Sequence, residues 1–392
     1  MRITRFEILH CAAGTRVWSY LKLETDDGIT GWAEFTDGGY SARGVGQIIQ
    51  RLAALVIGQD PTNTRRLEAI LHSATHEAES FLNRRATGAI LNASLDIRAR
   101  AAGVPVATLL GGILRDRLPL YWSHCGLGRV RMSQAGEHAP ITSLDEIAAL
   151  GREVRDRGFR SLKTNIILFE DGAAQLYLPL WSGEGETSLE LTRRTIDGTV
   201  DLIEAFHDGA GDDVEILLDT VFCVKGEAIA RLARRLSETS LGWLESDSLE
   251  PAALSAARGY GQLRIASGEA LSGVRHYRPF FDAGAIDVPV VDVSWNGMPE
   301  ALRIADLANT YDLNVAPHNF ASHLLTYMSA HFAATIPNFS ILEYDVDGVS
   351  WRDAVVTPPT IEDGHMLLPE GPGWGCEIDE EAIRAHPPTQ AV

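Results

Sequence analysis

Three acidic residues, Asp219, Glu245 and Glu269, each close an apolar run, in ILLDT, WLESD and IASGE. Asp292, His318 and Glu343 extend the series, at steps of 26, 24, 23, 26 and 25 residues. One strand plus one helix fills a step of that size. In a parallel barrel the C-terminal strand ends share one face, so residues at this interval converge on a common mouth. Three carboxylates aimed at one place repel and raise each other's pKa unless a hard cation neutralises them. Oxygen donors in that number suit Mg²⁺, with Mn²⁺ able to substitute. Taken singly, each acid also reads as a strand-end residue capping the next helix. His318, in NVAPHNF, has Asp292 one barrel position away to fix its tautomer and raise its basicity, as a general base requires. A packed histidine beside an unrelated acid is the other reading. Glu343, in ILEYD, either bonds a ligand oxygen or satisfies a helix terminus.

The elements that must position these groups are legible as alternating patterns. From Leu118 onward, LPLYWS, FRSLKTNI, VEILLDTV, LGWLES, LRIASGEA, VPVVDVSW, LNVAPHN and FSILEYD are apolar runs, each followed by helical periodicity. Eight such units predict a (β/α)8-type barrel over 118–345, the runs being continuous because both faces of a parallel strand are covered. An open doubly wound sheet is the alternative, but no Gly-rich nucleotide fingerprint follows the first run. Residues 1–117 read as an α+β unit: an antiparallel meander broken by DDG, then a helical block ending near VPVATLLGG. Residues 346–392, rich in Pro and Gly, read as a surface return toward that first unit. The stretch 167–192 is too long for a plain strand-to-helix link and reads as a substrate-side flap or as a surface or subunit-contact excursion.

Composition narrows the partners. A chain of 392 residues, 45% hydrophobic and 22% charged, buries a large core, and its net charge of −19 repels nucleic acid and anionic membrane surfaces. No apolar run reaches a membrane-spanning length and no export signal opens the chain, whose first residues alternate like a strand. The four cysteines, Cys11, Cys125, Cys223 and Cys376, have no paired spacing, which fits reduced thiols. A soluble, cytoplasmic protein is expected.

Taken together, NASLDIRARAAGVPVATLLGG, the three acids, the Asp292 and His318 pair and the closing GPGWG resemble the enolase superfamily, in its mandelate racemase-like branch, over almost the whole chain. The resemblance implies a capping domain built from the N- and C-terminal segments over the barrel, Mg²⁺ held by Asp219, Glu245 and Glu269, and proton abstraction beside a substrate carboxylate. A homo-oligomer is the family's habit. Two departures stand out. The branch usually carries Lys-x-Lys at the second barrel strand, where this chain reads Lys163, Thr164, Asn165, and the usual EEP or EQP after the fourth strand is ESDSLEP.

Abstraction beside a carboxylate builds charge on its oxygens, which Mg²⁺ and Lys163 can both address. A salt bridge from Lys163 to a ligand carboxylate is compatible with that role. The amide of Asn165 cannot titrate near neutral pH, so chemistry from one face is expected, with His318 as base and Glu343 assisting. The expected reaction is dehydration of an acid sugar, an aldonate or aldarate, to a 2-keto-3-deoxy acid. Asn165, Asn296, Asn319 and His124 are expected to match substrate hydroxyls. Arg16, in a cap loop, is expected to meet a distal carboxylate or else to lie exposed. His124 and Tyr177 are further candidates for the acid that protonates the leaving oxygen. A racemase or epimerase, a cycloisomerase, and a non-catalytic barrel are the alternatives.

Overall fold

The computed structural model describes residues 1–38, 41–78, 80–134, 136–181, 189–260 and 262–388. Three antiparallel strands open the chain, β1 (Ile3–Ala13), β2 (Arg16–Thr25) and β3 (Thr30–Glu34), paired in that order. Their period-2 pattern sends Ile3, Leu21, Leu23 and Ala33 into one core with the apolar faces of helices Ala42–Val56, Thr64–Thr75 and Phe81–Ala102. The last helix begins at Ser80, which accepts the N–H of Asn83. It ends at Gly103, whose φ of 68° lets its N–H reach back to the carbonyls of Ala99 and Arg100.

The barrel strands are β4 (Arg117–Ser123), β5 (Ser161–Asn165), β8 (Glu215–Asp219), β9 (Leu241–Glu245), β10 (Arg264–Ser267), β11 (Val288–Val291), β12 (Ala316–Pro317) and β13 (Leu342–Asp345), one for each apolar run of the sequence. They pair in parallel in chain order, and β13 returns to β4. At one seam the ring lacks a ladder: β12 and β13 are joined by an isolated parallel bridge between Val315 and Phe339. Two bonds flank that bridge, from Val315 N to Asn338 O at 2.7 Å and from Ser340 N to Val315 O at 2.9 Å. The stretch expected as an excursion contains a two-stranded hairpin, β6 (Ile167–Glu170) with β7 (Ala173–Leu176). Residues 182–188 of that stretch lie outside the described residues.

Strand alternation stacks two layers inside the barrel. The lower is apolar, formed by Tyr121, Leu217, Trp243, Ala266, Val290 and Ala316, with Tyr121 and Trp243 edge to face at 5.6 Å. Aromatic pairs of this kind add about 1 kcal/mol beyond the area they bury. Two residues further along the strands, on the same faces, come Ser123, Asp219 and Glu245, so the apolar plug sets the floor of a polar mouth.

The chain's last segment ties the barrel to the opening sheet. Strands β14 (Ile361–Glu362) and β15 (His365–Leu367) form a hairpin, and β15 lies antiparallel to the start of β4. Beyond it, Trp374 donates its ring N–H to Trp32 O at 2.7 Å and its backbone N–H to Asp96 at 3.0 Å. Ala12 N then donates to His386 O at 2.8 Å. No helix among the described residues is long and apolar enough to cross a membrane.

His331, fully buried on helix His323–Thr335, accepts the N–H of Ala107 on Nδ1 and donates from Nε2 to Trp374 O, which fixes it as the neutral imidazole. Burial lowers its pKa from 6.5 to about 4. The folded state therefore prefers the neutral ring, and the associated stability is full above pH 6.5 and is lost as pH falls through about 4. Urea unfolding should show a loss of about 3 kcal/mol from this group over that window, and His331→Gln should flatten the slope relative to the parent.

Candidate active site

Register brings the predicted residues together. Asn165 stands beside Asp219, and Asp219 beside Glu245, across β5, β8 and β9. Lys163 starts in the layer of Leu217 and extends upward. Its Nζ lies 2.8 Å from Glu343 Oε1, 3.1 Å from Glu245 Oε2 and 3.9 Å from Asp219 Oδ2, over the Tyr121 ring at 5.4 Å. All four charged groups are buried. The carboxylates, Glu245 foremost, hold the lysine well above the usual ammonium range against the opposing effect of burial. Glu343 is lowered: Lys163 and His318 outweigh the cost of its burial, and it also accepts Ser123 Oγ at 2.5 Å and Asn319 N at 2.8 Å.

The remaining acids carry the opposite shift. Burial first, then mutual repulsion, raises Asp219, Glu245 and Glu269, and it raises Asp247 to about 6. Asp247, which sequence reasoning missed, accepts Gly268 N at 2.9 Å and Ser267 Oγ at 3.1 Å. Its signal was the extra acid two residues after Glu245 in ESDSLEP. The turn after Asp219 is strained. Val221 and Phe222 sit at φ 47° and 59°, a left-handed pair that costs a β-branched residue on the order of 1–2 kcal/mol, and Val221 N donates to Asp219 Oδ1 at 2.8 Å.

Five carboxylates, Asp219, Glu245, Asp247, Glu269 and Glu343, against one ammonium leave an excess of buried negative charge, and hard oxygen donors of this kind fit a divalent cation. Among the described residues, no three His, Cys, Asp or Glu side chains stand gathered as a metal cage. Lys163 sits between Asp219 and Glu245, while Glu269 is turned onto His318.

The histidine is oriented from both sides. Its Nδ1 meets Asp292 Oδ2 at 2.8 Å and its Nε2 meets Glu269 Oε2 at 3.1 Å. The other oxygen of Asp292 accepts Ser294 N, Ser294 Oγ and Trp295 N at 2.7–2.8 Å, so the acid caps the turn that follows β11 and cannot rotate. Trp295 and Phe320 pack against the imidazole at 4.9 and 5.0 Å between ring centres.

The groups expected to match hydroxyls divide. Asn165 donates to Asp219 O at 3.1 Å, and its Oδ1 is buried without a partner among the described residues. Asn319 donates to Thr326 Oγ1 and Glu343 O, and its Oδ1 is likewise unmatched among the described residues. Asn296 spends both ends of its amide on backbone, accepting Gly273 N and donating to Asp292 O, so it braces the loop rather than facing the mouth. His124 lies 3.1 Å from Ser123 Oγ, and burial, then Arg16 and Lys163, pushes its pKa well below the usual value, which leaves it a neutral ring. Tyr177 donates to Glu190 O within the excursion. Arg16 is not exposed: it donates to Asp345 Oδ2 at 2.8 Å and to Phe320 O, and lies 5.0 Å over the Phe320 ring.

Glu34 is a second residue that sequence reasoning passed over, because GWAEF reads as ordinary strand alternation. It is wholly buried where β3 meets the loop after His318. There it accepts Ser322 N at 3.1 Å, Leu325 N at 3.0 Å, Ser322 Oγ at 2.5 Å and Thr36 Oγ1 at 2.6 Å.

Comparison with known proteins agrees with this fold. Residues 146–382 match the family model described as enolase C-terminal domain-like. Residues 5–111 match the mandelate racemase / muconate lactonizing enzyme N-terminal domain. The chain is 29% identical over 382 residues to D-xylonate dehydratase of Haloferax volcanii, covering 95% of this chain and 86% of that one. It is 28% identical over 399 residues to D-galactonate dehydratase of Xanthomonas axonopodis pv. citri, covering 98% and 94%. A solved structure from Burkholderia xenovorans, provisionally named an L-alanine-DL-glutamate epimerase, is 40% identical with a TM-score of 0.95, covering 99% of both chains. A second structure under that name, bound to magnesium and fumarate, is also 40% identical with a TM-score of 0.94, covering 99% and 96%.

Removing the Glu34 carboxylate strands the N–H groups of Ser322 and Leu325 and so loosens the start of helix His323–Thr335. Glu34→Ala should lose about 3 kcal/mol in urea unfolding, with Glu34→Gln recovering part of it.

Proposed function

Because the chain belongs to the mandelate racemase and muconate lactonizing enzyme branch of the enolase superfamily, we propose that it is a Mg²⁺-dependent dehydratase of an acid sugar, an aldonate or aldarate. The observation that carries the reading is the asymmetry of the mouth. One side holds a single oriented imidazole, His318 on Asp292. The other holds the amide of Asn165 and a lysine enclosed by Glu245 and Glu343.

Asp219, Glu245 and Glu269 would hold the metal, which when bound supplies positive charge to a substrate carboxylate and acidifies the neighbouring carbon. Lys163 answers the charge that grows on the carboxylate oxygens as the C–H bond breaks, and water is excluded around it because its neighbours are buried. His318 Nε2 takes the proton from C2, with Asp292 stabilising the imidazolium that forms. The imidazolium then returns that proton to the C3 hydroxyl as the C3–O bond breaks. The products are water and an enol, which tautomerises to the 2-keto-3-deoxy acid. Asn165 Oδ1 and Asn319 Oδ1, both unpartnered among the described residues, are suited to accept substrate hydroxyls.

The name carried by the 40% identical relative raises epimerisation as a second reading. Inverting a centre in one step needs a proton-transfer group on each face. An amide at 165 supplies none, and Lys163 is engaged by two acids, so dehydration is favoured. Two dehydratase relatives, each matched over at least 95% of this chain, support the same choice.

An acid sugar library incubated with the protein and Mg²⁺ should yield a semicarbazide-reactive product with loss of one water. In D₂O, recovery of substrate carrying α-deuterium with inverted configuration and no keto acid would instead establish epimerisation. His318→Asn should retain metal and substrate binding while kcat falls by on the order of 10³ or more. Glu245→Gln should lose Mg²⁺ binding, read by calorimetry, together with activity. Chelation of the metal should abolish turnover in the parent.

A further inference from the structure

The loop after Glu245 departs from the family pattern, with ESDSLEP standing where EEP or EQP is usual. Glu250 and Pro251 open the next helix, Pro251–Ala257, so the departure lies between the strand end and that helix. The outer part of the loop closes on itself, Ser248 Oγ accepting Glu250 N at 3.1 Å. The inner part turns to the barrel instead. Ser246 Oγ accepts Thr220 Oγ1 at 2.9 Å, and Ser246 N donates to Ala266 O at 3.1 Å. Asp247 Oδ1 accepts both Gly268 N at 2.9 Å and Ser267 Oγ at 3.1 Å.

These bonds link the strand tips that carry three acids of the mouth. Thr220 follows Asp219, Ser246 follows Glu245, and Ser267 and Gly268 precede Glu269. The last link has the most to hold. Glu269 lies two residues beyond the end of β10, outside the strand ladder, and the residue before it is a glycine at φ 121°, with little steric restraint of its own. Tyr277 grips the other side of that residue, donating to Gly268 O at 2.7 Å and to Val290 O at 2.9 Å. With its N–H on Asp247 and its carbonyl on Tyr277, Gly268 is fixed, and Glu269 keeps freedom only about its own side-chain bonds. Its carboxylate stands 3.1 Å from His318. A carboxylate oxygen at 247 can take two donors at once, whereas the proline that EEP places at the same distance from Glu245 has no side-chain acceptor to offer.

We propose that Asp247 is a positioning residue of the metal site: by fixing the turn at Ser267 and Gly268 it holds Glu269 in reach of the ion, and it raises the affinity for Mg²⁺ through those hydrogen bonds rather than as a ligand. The inference rests on the Mg²⁺ reading above and gives a role to the loop ESDSLEP, which the dehydration chemistry leaves unused.

The test is titration calorimetry of the protein with MgCl₂ in the absence of substrate. Asp247→Ala removes both bonds and should weaken Mg²⁺ binding by about 10–100-fold. Asp247→Asn keeps a carbonyl oxygen for both donors and should stay within about fivefold of the parent, a rescue that a general loosening of the fold would not give. Ser267→Ala removes one bond and leaves Gly268 N held, so a loss of about threefold is expected. An Asp247→Ala protein that folds and binds Mg²⁺ as tightly as the parent overturns the inference and leaves the Mg²⁺-dependent dehydratase reading standing. So does an Asp247→Asn protein as weak as Asp247→Ala, since charge and not hydrogen bonding would then set the affinity. Should Asp247→Ala fail to fold, Ser267→Ala decides, and parent-like affinity there overturns the inference. A parent that binds no Mg²⁺ and turns over no acid sugar overturns both.

Discussion

One ammonium group faces three carboxylates on the axis of the barrel, and the rest of the site follows from that imbalance. Lys163 cannot leave, because Tyr121 and Trp243 close the floor beneath it and Glu245 and Glu343 close the sides. Taking such charges out of water costs several kcal/mol for each ion before any pairing, and the attraction offsets that only where geometry is fixed and the spare lone pairs are satisfied. Glu343 meets the condition through Ser123 and Asn319 N. Glu269 does not: it turns to His318, the nearest donor, at 3.1 Å. The lysine balances one side of the mouth and leaves the other electron-rich, which is the state a divalent cation and an anionic substrate would jointly complete.

His318 is held from the cap as much as from the barrel. Its strand ends at Pro317, so His318 lies on a loop, where side chains are normally less well fixed. Glu34 from β3 gathers the next turn through Ser322 and Leu325. On the partner loop, Asn92 of helix Phe81–Ala102 brackets the segment after Asp292, donating to Val293 O at 2.9 Å and accepting Met298 N at 2.7 Å. A Cβ on Gly88 would stand 2.8 Å from Gly297 N, so the helix and that loop touch backbone to backbone. Trp295 then joins the two supports, bonding Thr36 O at 2.8 Å with one edge and packing on His318 with its face. Positions of Asp292 and His318 thus depend on the first hundred residues of the chain.

The reasons some of this was legible in the sequence, and some was not, are physical. A βα unit has a nearly constant length, so a polar residue at each strand end repeats at about 25 positions, and the period alone placed Asp219, Glu245, Glu269, Asp292, His318 and Glu343 around one mouth. The eight runs became eight strands because burial on both faces leaves a continuous apolar signal. What the period cannot encode is the direction in which a polar side chain spends its hydrogen bonds. Asn165, Asn296 and Asn319 look alike in sequence, yet among the described residues two keep an unmatched carbonyl oxygen and one is used up on backbone. Glu34, Asp247 and Asp345 were missed for a related reason: each sits beside a stronger signal, at a strand end already explained. The seam between β12 and β13 was hidden because β12 spans only Ala316–Pro317, and proline has no N–H to give to a ladder.

Arg16 and Asp345 are 329 residues apart and meet at 2.8 Å only once the cap has closed over the barrel. The pair spans two separately patterned halves, so neither half can change its charge alone without leaving a buried partner uncompensated. A neutral residue at 16 would leave Asp345 with Arg352, which bonds its backbone oxygen, and with His124, 3.8 Å away and held neutral. A neutral residue at 345 would leave Arg16 anchored on Phe320 O with its charge unmatched beside the barrel mouth. That charge would stand over Phe320, the ring that packs on His318. The Arg16–Asp345 pair and the placement of His318 are therefore coupled through Phe320, and a change in one is expected to be felt in the other.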